Sequence, residues 1–125
     1  MSKKAYNFDF LIKGGPYSHI IEANGFLFVS GMTPIDIEKG IMITDDVKKG
    51  TELAFSNIKR ALEQAGSSLD RVVKATVYLR DMADFTPMNE VYQTFFPGDP
   101  PARTCIAVKE IPGGAPVEIE VIATR

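Results

Sequence analysis

The chemistry this chain could do is concentrated in two runs near its end, Pro100-Pro101-Ala102-Arg103-Thr104-Cys105 and Val117-Glu118-Ile119-Glu120-Val121-Ile122-Ala123. Two prolines stiffen the backbone just ahead of a β-branched, apolar stretch, so Arg103 is expected at a strand start with its guanidinium aimed by the turn. A guanidinium is a planar fork of donors, and its natural partner is a planar anion, for a small ligand a carboxylate. In the second run, strand geometry alternates side chains between two faces. Val117, Ile119, Val121 and Ala123 then share one face, while Glu118 and Glu120 share the other. One cationic fork and two carboxylates therefore come from strands adjacent in sequence. The plain alternative is an ion pair on a solvated sheet face, which contributes little.

Other reactive residue types are weaker candidates. Gly14-Gly15-Pro16-Tyr17-Ser18 is a glycine-rich loop before a strand, but it lacks the spacing and the Lys-Ser/Thr of a phosphate loop. Tyr17 follows a fixed proline dihedral and could aim its hydroxyl into a cleft, although a tyrosine covering a sheet end is commoner. His19 and Cys105 are the single histidine and the single cysteine. With no visible Cys-His arrangement and no ligand set, both read as structural side chains. One of each also cannot make an internal disulfide or a thiolate or imidazole metal cage, which leaves only carboxylate metal binding open, without a spacing motif to support it. Asn89 falls in the first turn of a helix, where local backbone or water is its usual partner.

The elements that must hold these residues follow from periodicity and turn chemistry. Ser18 to Ala23 and Phe26 to Ser30 flank Asn24-Gly25, a strong signal for a tight hairpin. Thr33 to Gly40 is turn-rich, and Ile41-Met42-Ile43 could form a short extra strand. Thr44-Asp45-Asp46 predicts a capped helix start with acidic residues in the first turn. The helix should run to about Ala65, with Val47, Ala54, Ile58, Ala61, Leu62 and Ala65 on one stripe, Gly50 as a weak point and Gly66 as its stop. Val72 to Leu79 reads as a buried strand. A second helix should start near Thr86-Pro87 and place Met88, Val91, Tyr92, Phe95 and Phe96 on one face. Two further strands, joined through Ile111-Pro112-Gly113-Gly114, carry Arg103 and Glu118. This order predicts an α+β fold, a mixed β-sheet with two helices packed on one face.

Bulk composition narrows the function. A chain of 125 residues with 45% hydrophobic content can bury one core, and nothing marks a second domain, so residues 1–125 are expected to form one. Fourteen basic and sixteen acidic side chains leave a formal charge of −2 without a basic stripe, which argues against nucleic acid as a partner. No apolar run approaches membrane-spanning length, and the basic start has no apolar stretch behind it. A soluble cytoplasmic protein is expected. Two helices cover one sheet face only, and a symmetric oligomer is a common cover for the other.

Several segments together resemble the Rid/YjgF family of reactive-intermediate deaminases, and within it the archetypal subgroup that carries the arginine. They are Gly15-Pro16-Tyr17-Ser18, Val29-Ser30-Gly31, Val77-Tyr78-Leu79-Arg80-Asp81, and above all the two runs containing Arg103 and Glu118. Met32 and His19 stand where glutamine is frequent in relatives, a departure that bears on substrate range. The resemblance implies a chorismate-mutase-like α+β fold assembled as a homotrimer with three clefts between subunits. It implies clefts with Arg103, Cys105 and Glu118 on one side, and Tyr17, Ser30, Gly31 and Asn89 contributed across the interface. Arg103 would hold a substrate carboxylate, the backbone at Cys105 would contact the reacting nitrogen, Glu118 would position water, and Tyr17 would shape the pocket. The residues alone do not choose Glu118 over Glu120.

The activity implied is hydrolysis of 2-imino acids, and of enamine tautomers such as 2-aminoacrylate and 2-aminocrotonate, to 2-keto acids and ammonia. Such imines arise from pyridoxal-phosphate dehydratases, so the role would be to protect those enzymes. Free imines already hydrolyse in water, and orienting a water beside one acid/base group is enough to accelerate them, so no cofactor, metal or covalent nucleophile would be needed. The rival reading is a non-catalytic trimeric module that binds small carboxylates as a sensor or chaperone-like partner. That module would need Arg103 but has little use for Glu118.

Overall fold

The computed structural model describes residues 2–125. Its frame is a six-stranded sheet built from β1 (Lys4–Tyr6), β2 (Ile20–Ala23), β3 (Phe26–Met32), β6 (Val72–Leu79), β7 (Ala102–Ala107) and β8 (Val117–Thr124), in the order β1-β2-β3-β8-β6-β7. A separate small hairpin joins β4 (Ile35–Asp36) to β5 (Ile41–Met42), which places the expected extra strand there. Asn24 and Gly25 turn between β2 and β3 with φ of 53° and 81°. Two successive positive φ values give the hairpin a turn whose twist matches its strands. All neighbours in the large sheet are antiparallel except β6 and β7, which run parallel. A parallel pair needs a crossover, and here it contains α2 (Phe85–Tyr92).

The helices lie on one face, as an α+β layer requires. Helix α1 (Val47–Gln64) begins one residue after Asp46, whose carboxylate caps it by accepting from the Lys49 N–H at 3.0 Å. The acidic pair therefore precedes the first turn instead of occupying it. Ala54, Phe55, Ile58, Ala61 and Leu62 are wholly buried beneath the helix. Gly50 is a close-approach position: a Cβ there would lie 3.2 Å from Cγ1 of Val117. Helix α2 is shorter than its apolar stripe suggests. It passes into a 3₁₀ turn over Gln93–Phe95, and this tighter winding brings Tyr92, Phe95 and Phe96 around the ring of Phe55.

The opposite sheet face has no helix over it. Phe26 and Phe28 are 41% and 45% exposed there, and Ile106 at the far edge is 45% exposed. Among the described residues, no helix is long and apolar enough to cross a membrane.

Candidate functional site

Strand β6 lies between the two strands that carry the candidate residues. In its register Ala75 stands opposite Arg103 and Val77 opposite Cys105, while Tyr78 stands opposite Glu118 and Thr76 opposite Glu120. Ala75 and Val77 are wholly buried under the helices. Alternation therefore turns Arg103 and Cys105 toward the helical face, and Glu118 and Glu120 toward the uncovered one.

On the helical side, Arg103 Nη1 donates to Oδ1 of Asn89 at 2.6 Å. Its guanidinium carbon sits 4.7 Å from the ring centroid of Tyr92 and 5.6 Å from that of Phe85. Aromatic faces attract the cation while leaving the rest of its donor fork available. No carboxylate pairs with it among the described residues. Burial pushes the Cys105 thiol above its ordinary pKa, with Arg103 opposing the shift, so nothing activates it as a nucleophile. The hydroxyl of Tyr92 is buried beside this group without a hydrogen-bond partner among the described residues.

On the uncovered side, Tyr17, Ser30, Gly31 and Glu118 line one cleft of about 560 Å³. Gly31 is the reason the Glu118 carboxylate fits: a Cβ on residue 31 would overlap its Oε2. Ser30 donates its hydroxyl to the carbonyl of Ser18 at 2.7 Å and so anchors the loop that bears Tyr17. The Tyr17 hydroxyl accepts from the Gly14 N–H at 3.3 Å and keeps its own proton to donate. Buried His19 accepts at Nδ1 from the Phe8 N–H at 2.9 Å, which makes Nε2 the protonated nitrogen facing the Ile12 carbonyl at 3.3 Å. It is a tie within the fold.

The two glutamates that the sequence leaves equivalent are separated by their surroundings. Glu120 accepts a hydrogen bond from the Tyr78 hydroxyl. The Glu118 carboxyl makes no side-chain hydrogen bond among the described residues, and burial, then the nearby Glu120 charge, push its pKa up. A half-buried carboxyl with raised proton affinity is suited to take and return a proton.

The structure thus corrects the expected grouping. Asn89 is the partner of Arg103 in the same chain, and Glu118 belongs with Tyr17, Ser30 and Gly31 rather than with Arg103 and Cys105. The reason is the register: β7 and β8 flank β6, and their reactive residues face opposite ways. Tyr92, Phe85 and Tyr78 enter the site description without having been singled out as site residues. The Asn89/Tyr92 spacing of three on one helix was the available signal, since such pairs share a face.

The family described as Endoribonuclease L-PSP matches residues 11–125. A RutC family protein of Pyrococcus horikoshii is 48% identical over 111 residues, covering 89% of this chain and 88% of that one. Reactive Intermediate Deaminase A, chloroplastic, of Arabidopsis thaliana is 40% identical over 110 residues, covering 88% of this chain and 59% of that protein. Among solved structures, the Rid family protein YyfA of Yersinia pestis superposes with a TM-score of 0.94 at 36% identity over 99% of this chain and 100% of that one. TdcF of E. coli with bound serine gives 0.83 at 34% identity over 89% of each. The chain belongs to this family, which contains the Rid/YjgF proteins and includes members named as reactive intermediate deaminases.

Proposed function

We propose that this protein hydrolyses small 2-imino acids and their enamine tautomers to 2-keto acids and ammonia, in clefts shared between copies of a homotrimer. The observation that carries this reading is a pair of uncommitted, complementary groups. Arg103 offers a donor fork with no carboxylate on it, and Glu118 offers a carboxyl of raised proton affinity beside a glycine. They lie on opposite faces of one sheet, so one copy would supply Arg103, Asn89 and Cys105 and another Glu118, Tyr17, Ser30 and Gly31. A relative named as a reactive intermediate deaminase and a solved relative holding serine support a small amino-acid-like ligand.

In this reading the Arg103 fork grips the substrate carboxylate, and Tyr17 closes the pocket beside it. Glu118 takes a proton from the attacking water as oxygen bonds to the imine carbon, and returns it to nitrogen. The hydroxyl proton then passes to nitrogen, through Glu118 or solvent, as the carbonyl forms and the carbon–nitrogen bond breaks, so that ammonia leaves. One positioned acid/base group contributes roughly 10²–10⁴-fold, which is ample for a reaction already proceeding in water. The family description names a ribonuclease, but none of the described residues of this chain lining the Glu118 cleft is basic and a second copy would add only Arg103, whereas an RNA backbone needs many cations.

The test is to generate 2-aminoacrylate with a serine dehydratase and follow pyruvate release with and without the protein. Faster release is expected. No acceleration with this or any other small imino acid, together with measurable binding of keto acids, would establish the carboxylate-binding module instead.

A further inference from the structure

The face of β8 that carries Glu118 also carries a carboxylate that the hydrolysis above does not consume. Glu120 lies two residues further along the same face. Opposite Glu118 on β6 stands Tyr78, whose hydroxyl reaches past it to donate to Oε1 of Glu120. Two anionic side chains side by side on a partly buried surface repel each other. The bond from Tyr78 makes the arrangement persist, because it holds Glu120 in one place.

We propose that Glu120, tethered by Tyr78, is a positioning residue that acts through Glu118, its fixed negative charge making Glu118 hold the proton taken from water until nitrogen receives it. The proposal rests on the role given to Glu118 above. The groups facing Glu118 bear it out. From its own strand it faces Glu120, from β6 Tyr78, from the loop after β7 Glu110, and from the segment before β2 Tyr17. Among the described residues, no lysine, arginine or histidine of this chain lines either cleft to neutralise them. The Tyr78 phenol is pushed up to about 12, first by its bond to Glu120, so it remains a proton donor throughout the range in which the enzyme would work. Arg103 of a second copy would be common to the wild type and the variants, so comparing them isolates Glu120.

The sign of the effect is fixed. A base whose proton affinity is raised loses its free form at higher pH, so the acid limb of kcat/KM, which reports the free enzyme, begins at higher pH. Removing the Glu120 charge relaxes Glu118 toward the ordinary carboxylate value. The experiment measures kcat/KM against pH for the wild type, Glu120→Gln and Tyr78→Phe, with a carbon-13 titration of the glutamate carboxyls in substrate-free protein. Glu120→Gln should move the acid limb and the Glu118 titration to lower pH. Tyr78→Phe should move both the same way by less, because the charge remains but loses its place. An unchanged Glu118 titration in both variants would overturn the proposal, and a folded Tyr78→Phe protein decides the matter if Glu120→Gln fails to fold. A fully active Glu118→Gln protein would sink the underlying reading instead. An inactive Glu118→Gln protein with unshifted Glu120→Gln profiles would sink only this inference.

Discussion

At the scale of single residues, the candidate site depends on shape as much as on charge. Lysine at position 103 would keep the cation but lose the fork that can hold both Asn89 and a carboxylate, and its stacking on Tyr92. For Arg103→Lys we expect kcat/KM on 2-imino acids to fall at least ~10-fold, equivalent to roughly 1.4 kcal/mol of transition-state binding. Imines lacking the carboxylate should lose much less, and equal losses for both substrate kinds would show that Arg103 serves the fold. Gly31 poses a sharper geometrical test. Its backbone does not require glycine, since its φ is not among the positive ones, so alanine should fold there. Its methyl would still collide with the Glu118 carboxylate and force it aside. Gly31→Ala should therefore reduce kcat by about tenfold or more, since small misplacements of reacting groups are costly. The melting temperature should stay near that of the wild type; a folded, fully active Gly31→Ala protein would detach Glu118 from the chemistry.

At the scale of elements, local signals are easiest to read where one segment decides its own structure. Asn24-Gly25 specifies its hairpin, and the 3.6-residue stripe from Val47 to Leu62 specifies the buried face of α1. The three-residue strand β1 was hidden, because Lys4–Tyr6 is a short edge whose position comes from pairing with Ile20–Glu22. The grouping of site residues was hidden for a related reason. Alternation shows that Glu118 and Glu120 share a face of their own strand, but it does not give that strand's register against β6 or make β7 parallel to β6. The Arg103 side also rests on the aromatic cluster that closes over Phe55, since Tyr92 belongs to both. Phe55→Ala should cost about 3–5 kcal/mol in urea unfolding. A loss below 1 kcal/mol would mean that α2 is held by something other than this cluster.

At the scale of the whole molecule, a two-layer chain leaves the face bearing Phe26, Phe28 and Glu118 without a helix. Light scattering at micromolar concentration should report about three times the 13.7 kDa chain mass if copies of the chain cover that face in the proposed homotrimer. Activity and mass should fall together on dilution. A monomer that hydrolyses imines at full rate would contradict the shared cleft.

The placement of Arg103 and Glu118 on opposite sides of one sheet also has a genetic reading. If the proposed cleft is supplied by two different chains, Arg103→Ala and Glu118→Gln each remove one chain's contribution to it, so the lesions should complement one another. Co-expressed and randomly assembled at equal levels, the two inactive proteins should regenerate roughly one intact cleft in four, each formed where an unaltered arginine meets an unaltered glutamate from the next chain around the ring. Carried on the same polypeptide, the two changes leave no chain able to supply either group, so the double variant expressed alone should stay inactive where the two single variants expressed together recover activity.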